Sequence, residues 1–247
     1  MNGQANNFCI VNDETGILTS SNGAFKVNLN ELAKIEKLPE MDNIRNDKED
    51  VCKAGNYVFI LTEKKVKVYN AADLTFNKEL NHEVNTGFAL SKDGSLWAAN
   101  DNKLVKINTQ TLATEEITLP DNLNVYYNSM AYTPTGLSAS TSENALYFAA
   151  KTGEGYSIYG KDIYKYDIDQ KKATEFFDAP EDDKSVYGAG INVNPNNGDV
   201  YIVYTEDGWG EHYKNTNIYV ADGQNGHQKA MIDYTGTLWF PSKIVFN

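Results

Sequence analysis

One pattern recurs about five times along the 247 residues: an apolar strand, a turn, a second strand ending near Asn or Asp, and an amphipathic closing strand. The clearest copies are Asn56-Tyr57-Val58-Phe59-Ile60-Leu61 with Val66-Lys67-Val68-Tyr69-Asn70, and Ser95-Leu96-Trp97-Ala98-Ala99-Asn100 with Leu104-Val105-Lys106-Ile107-Asn108. Ala145-Leu146-Tyr147-Phe148-Ala149 pairs in the same way with Ile163-Tyr164-Lys165-Tyr166-Asp167. So does Asp199-Val200-Tyr201-Ile202-Val203 with Ile218-Tyr219-Val220-Ala221-Asp222. Four-stranded repeats of roughly 40 to 45 residues are the sequence pattern of a β-propeller. An aromatic content of 12%, with 16 tyrosines, suits pleated, half-buried strands.

The pattern predicts an all-β chain, a single β-propeller domain over residues 1–247. Residues 42–81, 82–120, 121–182 and 183–237 give four blades, with innermost strands expected at 50–53, 87–90, 129–132 and 189–193. Lys92-Asp93-Gly94 marks a tight hairpin, because Asp-Gly supplies the positive φ that such turns need. The fifth blade is expected to form from both ends. Residues 8–12, 24–29 and 33–38 supply three strands, and Ser242-Lys243-Ile244-Val245-Phe246 supplies the closing one. Such closure removes exposed sheet edges.

A net charge of -12 argues against nucleic acid or an anionic membrane as partner, since phosphate would repel the chain. No apolar run reaches the length of a membrane span, and residues 1–7 do not read as a signal peptide. Cys9 and Cys52 are too few for a disulfide scaffold; two buried thiols are the default and a bridge the alternative. Arg45 is the only arginine, either solvated or paired with a carboxylate or phosphate. A monomer is expected.

In a propeller, the loops between second and third strands open on the same face as the blade-to-blade connections. Long inserts are expected there at 13–23, 151–161 and 206–216. This sorting gathers Tyr126, Tyr127, Tyr156, Tyr159, Tyr187, Trp209, His212, Tyr213 and Trp239 on one face, with Arg45 on a blade connection beside them. Aromatic rings in Gly-rich loops offer rigid contact area at low entropic cost, so these residues are the candidate ligand-binding set. The loop 206–216 is expected to dominate, with the loop around Tyr156 and Tyr159 as its neighbour.

Catalytic and metal patterns are thin. His82, His212 and His227 lack metal-ligand spacing, no phosphate loop or nucleophile elbow is present, and no cofactor is expected. A propeller glycosidase needs paired carboxylates at its centre, and only Asp50 comes near. A hydrolase or lyase using Asp50, Glu211 and His212 stays as the alternative to a binding module. A protein-interaction platform on the same face is the third reading.

Tyr187-Gly188-Ala189-Gly190-Ile191-Asn192-Val193-Asn194-Pro195, followed by Gly198-Asp199-Val200-Tyr201-Ile202, resembles a segment of the YncE-like surface-layer propellers of gut-commensal Gram-negative bacteria. Thr235-Gly236-Thr237-Leu238-Trp239-Phe240-Pro241 and the residues up to Phe246 resemble the closing segment of that family. The resemblance implies an exported, often lipid-anchored, non-enzymatic propeller located outside the cytoplasm. It further implies cobalamin capture and transfer to an outer-membrane transporter; with the aromatic face, the expectation is capture of a bulky nutrient, a corrinoid or a glycan.

Overall fold

A computed structural model describes residues 5–41, 50–120, 122–127, 136–153, 159–236 and 238–246. Its strands form five four-stranded antiparallel sheets, each built from consecutive strands. The first contains β1 (Ala5–Asn12), β2 (Thr15–Ser20), β3 (Gly23–Asn28) and β4 (Ile35–Lys37). The second contains β5 (Asp50–Ala54), β6 (Tyr57–Thr62), β7 (Lys65–Asn70) and β8 (Phe76–Glu79). The third contains β9 (Ala89–Leu90), β10 (Leu96–Asn100), β11 (Lys103–Ile107) and β12 (Thr114–Thr118). The fourth contains β13 (Ser138–Ala139), β14 (Ala145–Thr152), β15 (Tyr159–Asp167) and β16 (Lys172–Phe177). The fifth contains β17 (Lys184–Val193), β18 (Val200–Glu206), β19 (Thr216–Ala221) and β20 (Gln228–Asp233).

In four of the sheets the Asn or Asp at the end of the third strand has a local purpose. Asn28, Asn108, Asp167 and Asp222 each accept a backbone N–H two or three residues on, through the side-chain oxygen. These bonds turn the chain sharply toward the fourth strand. The turn is tight enough that Leu112 and Lys171 take positive φ just before that strand begins.

Apolar side chains alternate along the central strands and fill the spaces between neighbouring sheets. Val11, Ile17, Val58, Ile60 and Tyr69 join the first sheet to the second. Phe59, Leu61, Val68, Leu96 and Val105 join the second to the third. Trp97, Leu104, Leu146, Phe148 and Tyr166 join the third to the fourth. Tyr147, Ile163, Ile202, Tyr204 and Tyr219 join the fourth to the fifth.

Two strand expectations need correction. The insert expected at 13–23 contains β2, held between two-residue turns: Asn12 pairs with Thr15, and Ser20 pairs with Gly23. The Asn12 side chain accepts Glu14 N–H at 3.0 Å, and Gly23 takes φ 109°. The first sheet therefore draws all four strands from N-terminal residues, and residues 238–246 form no strand. The strand expected at 129–132 lies outside the described residues; among those described, the fourth sheet begins with β13. No helix among the described residues is long and apolar enough to cross a membrane.

Candidate functional site

The β18–β19 connection is a hairpin extension closed by a single 3-10 turn over Gly210–Lys214. Glu206 N–H donates to the Asn215 carbonyl at 3.0 Å, continuing the ladder past the strand ends. The Glu206 carboxylate then accepts from the Asn215 amide at 2.8 Å and pairs with His212 Nδ1 at 2.5 Å. The Asn215 bond and then the His212 bond hold this carboxyl below the usual glutamate range. Gly208 has φ 138°, and any side chain there would meet the His212 ring. Glycine is what lets the histidine fold back over the loop.

Beneath the loop, Lys161 on β15 acts as a strut. Its ammonium donates to the carbonyls of Asp182 and Lys184 at 2.7 and 2.8 Å, and to Asp207 Oδ2 at 2.8 Å. Ser185 donates to the other Asp207 oxygen. The fourth-to-fifth-sheet connection and the 206–216 loop are thus fixed to one another by a charge-assisted network.

On this base stands an aromatic cluster. Tyr187 from β17 and Tyr213 from the 3-10 turn stack with centroids 5.2 Å apart and planes 17° apart. Phe240 packs edge-on against both, at 4.7 Å from Tyr187 and 5.4 Å from Tyr213. Trp209 and Trp239 each contact Tyr213, at 6.5 and 5.5 Å. Tyr213 is only 9% exposed, whereas Trp209 is 74% and Trp239 is 49% exposed. The result is a stack of a buried and a half-buried tyrosine carrying two indoles that face solvent. The C-terminal segment reaches this place because Gly188, at φ 58°, leaves room for it. A Cβ there would stand 2.5 Å from the Pro241 carbonyl oxygen.

Of the residues expected on the binding face, Tyr187, Trp209, His212, Tyr213 and Trp239 come together here. Tyr126 does not: it is buried in the core between the fourth and fifth sheets, its ring lying where a side chain at Gly160 would stand. Tyr127 is half-buried on the preceding connection. Tyr159 opens β15, its side chain outside what the structure describes, and Tyr156 and Arg45 lie outside the described residues. The described partners of the 206–216 loop include Lys161, the 183–187 segment and the C-terminal segment. Phe240 and Gly188, neighbours of Trp239 and Tyr187 on the same two connections, complete the cluster, although neither is in the candidate ligand-binding set.

Asp50 is tied into the scaffold. One carboxylate oxygen accepts from the Asn7 amide at 2.5 Å and from Val51 N–H at 2.8 Å, and the other accepts from Phe88 N–H at 2.6 Å. It therefore ties β5 to β1 and to the residue before β9, and burial raises its carboxyl above the usual range. Glu211 is exposed and paired with Lys214 at 2.8 Å. The three suspects for a hydrolytic site are thus engaged separately.

Several solved structures are similar in fold. A quinoprotein alcohol dehydrogenase-like protein from Bacteroides thetaiotaomicron is 23% identical, with a TM-score of 0.71 over 98% of this chain and 57% of its own. The WD40 repeats of RRP9 are 10% identical, with a TM-score of 0.65 over 94% of this chain and 64% of theirs. The extracellular domain of a hybrid two-component system from B. thetaiotaomicron is 14% identical, with a TM-score of 0.60 over 92% of this chain and 27% of that one. The chain thus spans less than two thirds of the length of each, and the likeness is one of propeller-type fold. No curated protein matches the sequence. Residues 1–247 match one family over their whole length, and the chain belongs to it: the domain of unknown function DUF5074.

Proposed function

We propose that the five sheets are blades of one β-propeller, and that the protein is a non-enzymatic, extracytoplasmic binding module. Its ligand is a bulky, ring-bearing nutrient, a corrinoid or a glycan, held on the Trp209–Trp239 platform and passed to an outer-membrane transporter. The observation that carries this reading is the pairing of a Tyr187–Tyr213 stack, its Tyr213 ring buried, with two solvent-facing indoles. Large exposed aromatics on a rigid base are how proteins bind ligands with one apolar face and a polar edge. The amides and carboxylates around Glu206 and Asn215 supply polar partners at the rim. Placement outside the cytoplasm draws on the extracellular domain of a Bacteroides protein among the similar folds. The hydrolase reading is disfavoured by the three hydrogen bonds that occupy Asp50.

Calorimetric titration of the folded chain against cobalamin and a panel of plant and host glycans tests the proposal. Saturable binding is expected with one class, weakened at least about tenfold by Trp239→Ala. Absence of heat with every compound, or release of cleaved product during incubation, overturns it.

A further inference from the structure

We infer that the platform selects neutral, hydroxyl-rich rings and turns away anionic ones, which makes a neutral glycan its ligand class. This rests on the binding role argued above and narrows it. The geometry comes first. Trp209 and Trp239 both lean on the Tyr213 ring, at 6.5 and 5.5 Å, so two indoles share one support and stay largely exposed. A sugar ring has a face of C–H groups that packs on such surfaces, and a rim of hydroxyls that needs hydrogen-bond partners.

The charges near the indoles decide what kind of ring fits. Glu206, Asp207 and Glu211 bracket Trp209 within six positions of the same loop. Among the described residues, the basic groups beside them are already committed to carboxylates. Lys214 pairs with Glu211 at 2.8 Å, Lys161 with Asp207 at 2.8 Å, and His212 Nδ1 with Glu206 at 2.5 Å. An incoming carboxylate or sulfate would meet three carboxylates and would have to break an ion pair to gain a cation. A neutral hydroxyl faces no such conflict. It donates to the Glu206 or Glu211 carboxylate, and the hydrogen bonds from Asn215 and His212 hold the Glu206 carboxyl below the usual range, in the form that only accepts. The net charge of -12 adds long-range repulsion of anions in the same direction.

The test uses the folded chain, panels of neutral oligosaccharides, the matched uronate oligosaccharides and cyanocobalamin, all by calorimetry. A neutral sugar is expected to bind, with its uronate counterpart at least about tenfold weaker at low salt. Raising the salt, or the double variant Glu206→Gln with Glu211→Gln, is expected to narrow that gap, with folding confirmed by circular dichroism. Uronate binding equal to or tighter than neutral binding overturns the selectivity. Cobalamin binding without sugar binding overturns this inference and leaves the binding module standing. No binding by any probe removes both.

Discussion

Trp97 and Trp209 are the same residue put to opposite uses. Trp97, on β10, is 1% exposed and lies in the core between the third and fourth sheets. Its indole N–H donates to Ser91 Oγ at 2.9 Å, Ser91 donates to Asp93 at 2.6 Å, and Lys106 closes the chain with an ion pair to Asp93 at 2.9 Å. The Lys106 ammonium also sits 5.4 Å from the Trp97 ring centroid. Trp209 is on a loop, mostly in solvent, and touches one ring. A strand position gives a ring neighbours on every side, because the pleat presses it against the next sheet. A loop position leaves its faces open unless another segment covers them. The third sheet shows what this fold does with an aromatic it needs for stability, and the contrast marks Trp209 as surplus to stability.

The first way to break that contrast is Trp97→Ala. Loss of the core ring and of the Ser91 bond is expected to cost about 3–5 kcal/mol, measured as a shift in the urea midpoint. A loss near zero would mean the third-sheet core is not where stability lies. Tyr213→Ala sharpens the comparison from the other side. Tyr213 belongs to the platform, yet it is nearly buried and holds four rings together. Its removal is expected to cost about 2–3 kcal/mol, less than Trp97 because the cavity opens at the surface. The expectation of an exposed contact at both Trp209 and Tyr213 therefore divides: one ring is contact surface and the other is its support.

Asp93 tests the polar half of the third-sheet chain. Burial works to raise its carboxyl, but Ser91, Lys106 and Ser95 N–H outweigh it and hold the group at about 2, against an ordinary value of 3.8. A depressed folded value means the stabilisation is fully present above the ordinary value and disappears as pH falls through about 2. Asp93→Asn is expected to cost about 1–2 kcal/mol at neutral pH, part of the full linkage being screened by solvent. Denaturation midpoints measured from neutrality down to acid should show a steeper fall for the parent than for the variant. Parallel curves would mean the Lys106 pair contributes nothing.

Much of the fold was legible because its turns are written in residues with few alternative uses. Asp93-Gly94 set one hairpin, and Asn28, Asn108, Asp167 and Asp222 set the turns that follow four of the third strands. The first sheet was harder. In β2, Thr15-Gly16-Ile17-Leu18-Thr19-Ser20 carries a glycine and three hydroxyls, so its strand character is muted, although Thr19 and Ser20 are fully buried. The Ser21-Asn22-Gly23 turn after it was the overlooked signal. At the C-terminus, alternation in Ser242-Lys243-Ile244-Val245-Phe246 imitates a strand. Where that segment lies is decided by tertiary contacts, Pro241 against Gly188 and Phe246 against Tyr201. The site followed the same division. Loop sorting grouped Tyr187, Trp209, Tyr213 and Trp239, but which ring of Tyr126-Tyr127 turns inward depends on Gly160, a residue from another strand.

The smallest expected effect is the one that most sharply separates the two tryptophans. Trp209→Ala should shift stability by no more than about 0.5 kcal/mol, since the side chain is mostly solvated and makes one ring contact at 6.5 Å. Its backbone is already fixed without it: the Glu206–Asn215 ladder bond, the His212–Glu206 pair and the Lys161–Asp207 strut all lie outside the indole. The same substitution should weaken ligand binding at least about tenfold, because an exposed aromatic on a rigid support concentrates binding energy. The two measurements, thermal unfolding and calorimetry on one variant, therefore move independently. Equal losses in both would show that Trp209 packs as Trp97 does, and the platform would then be a piece of core exposed at its edge.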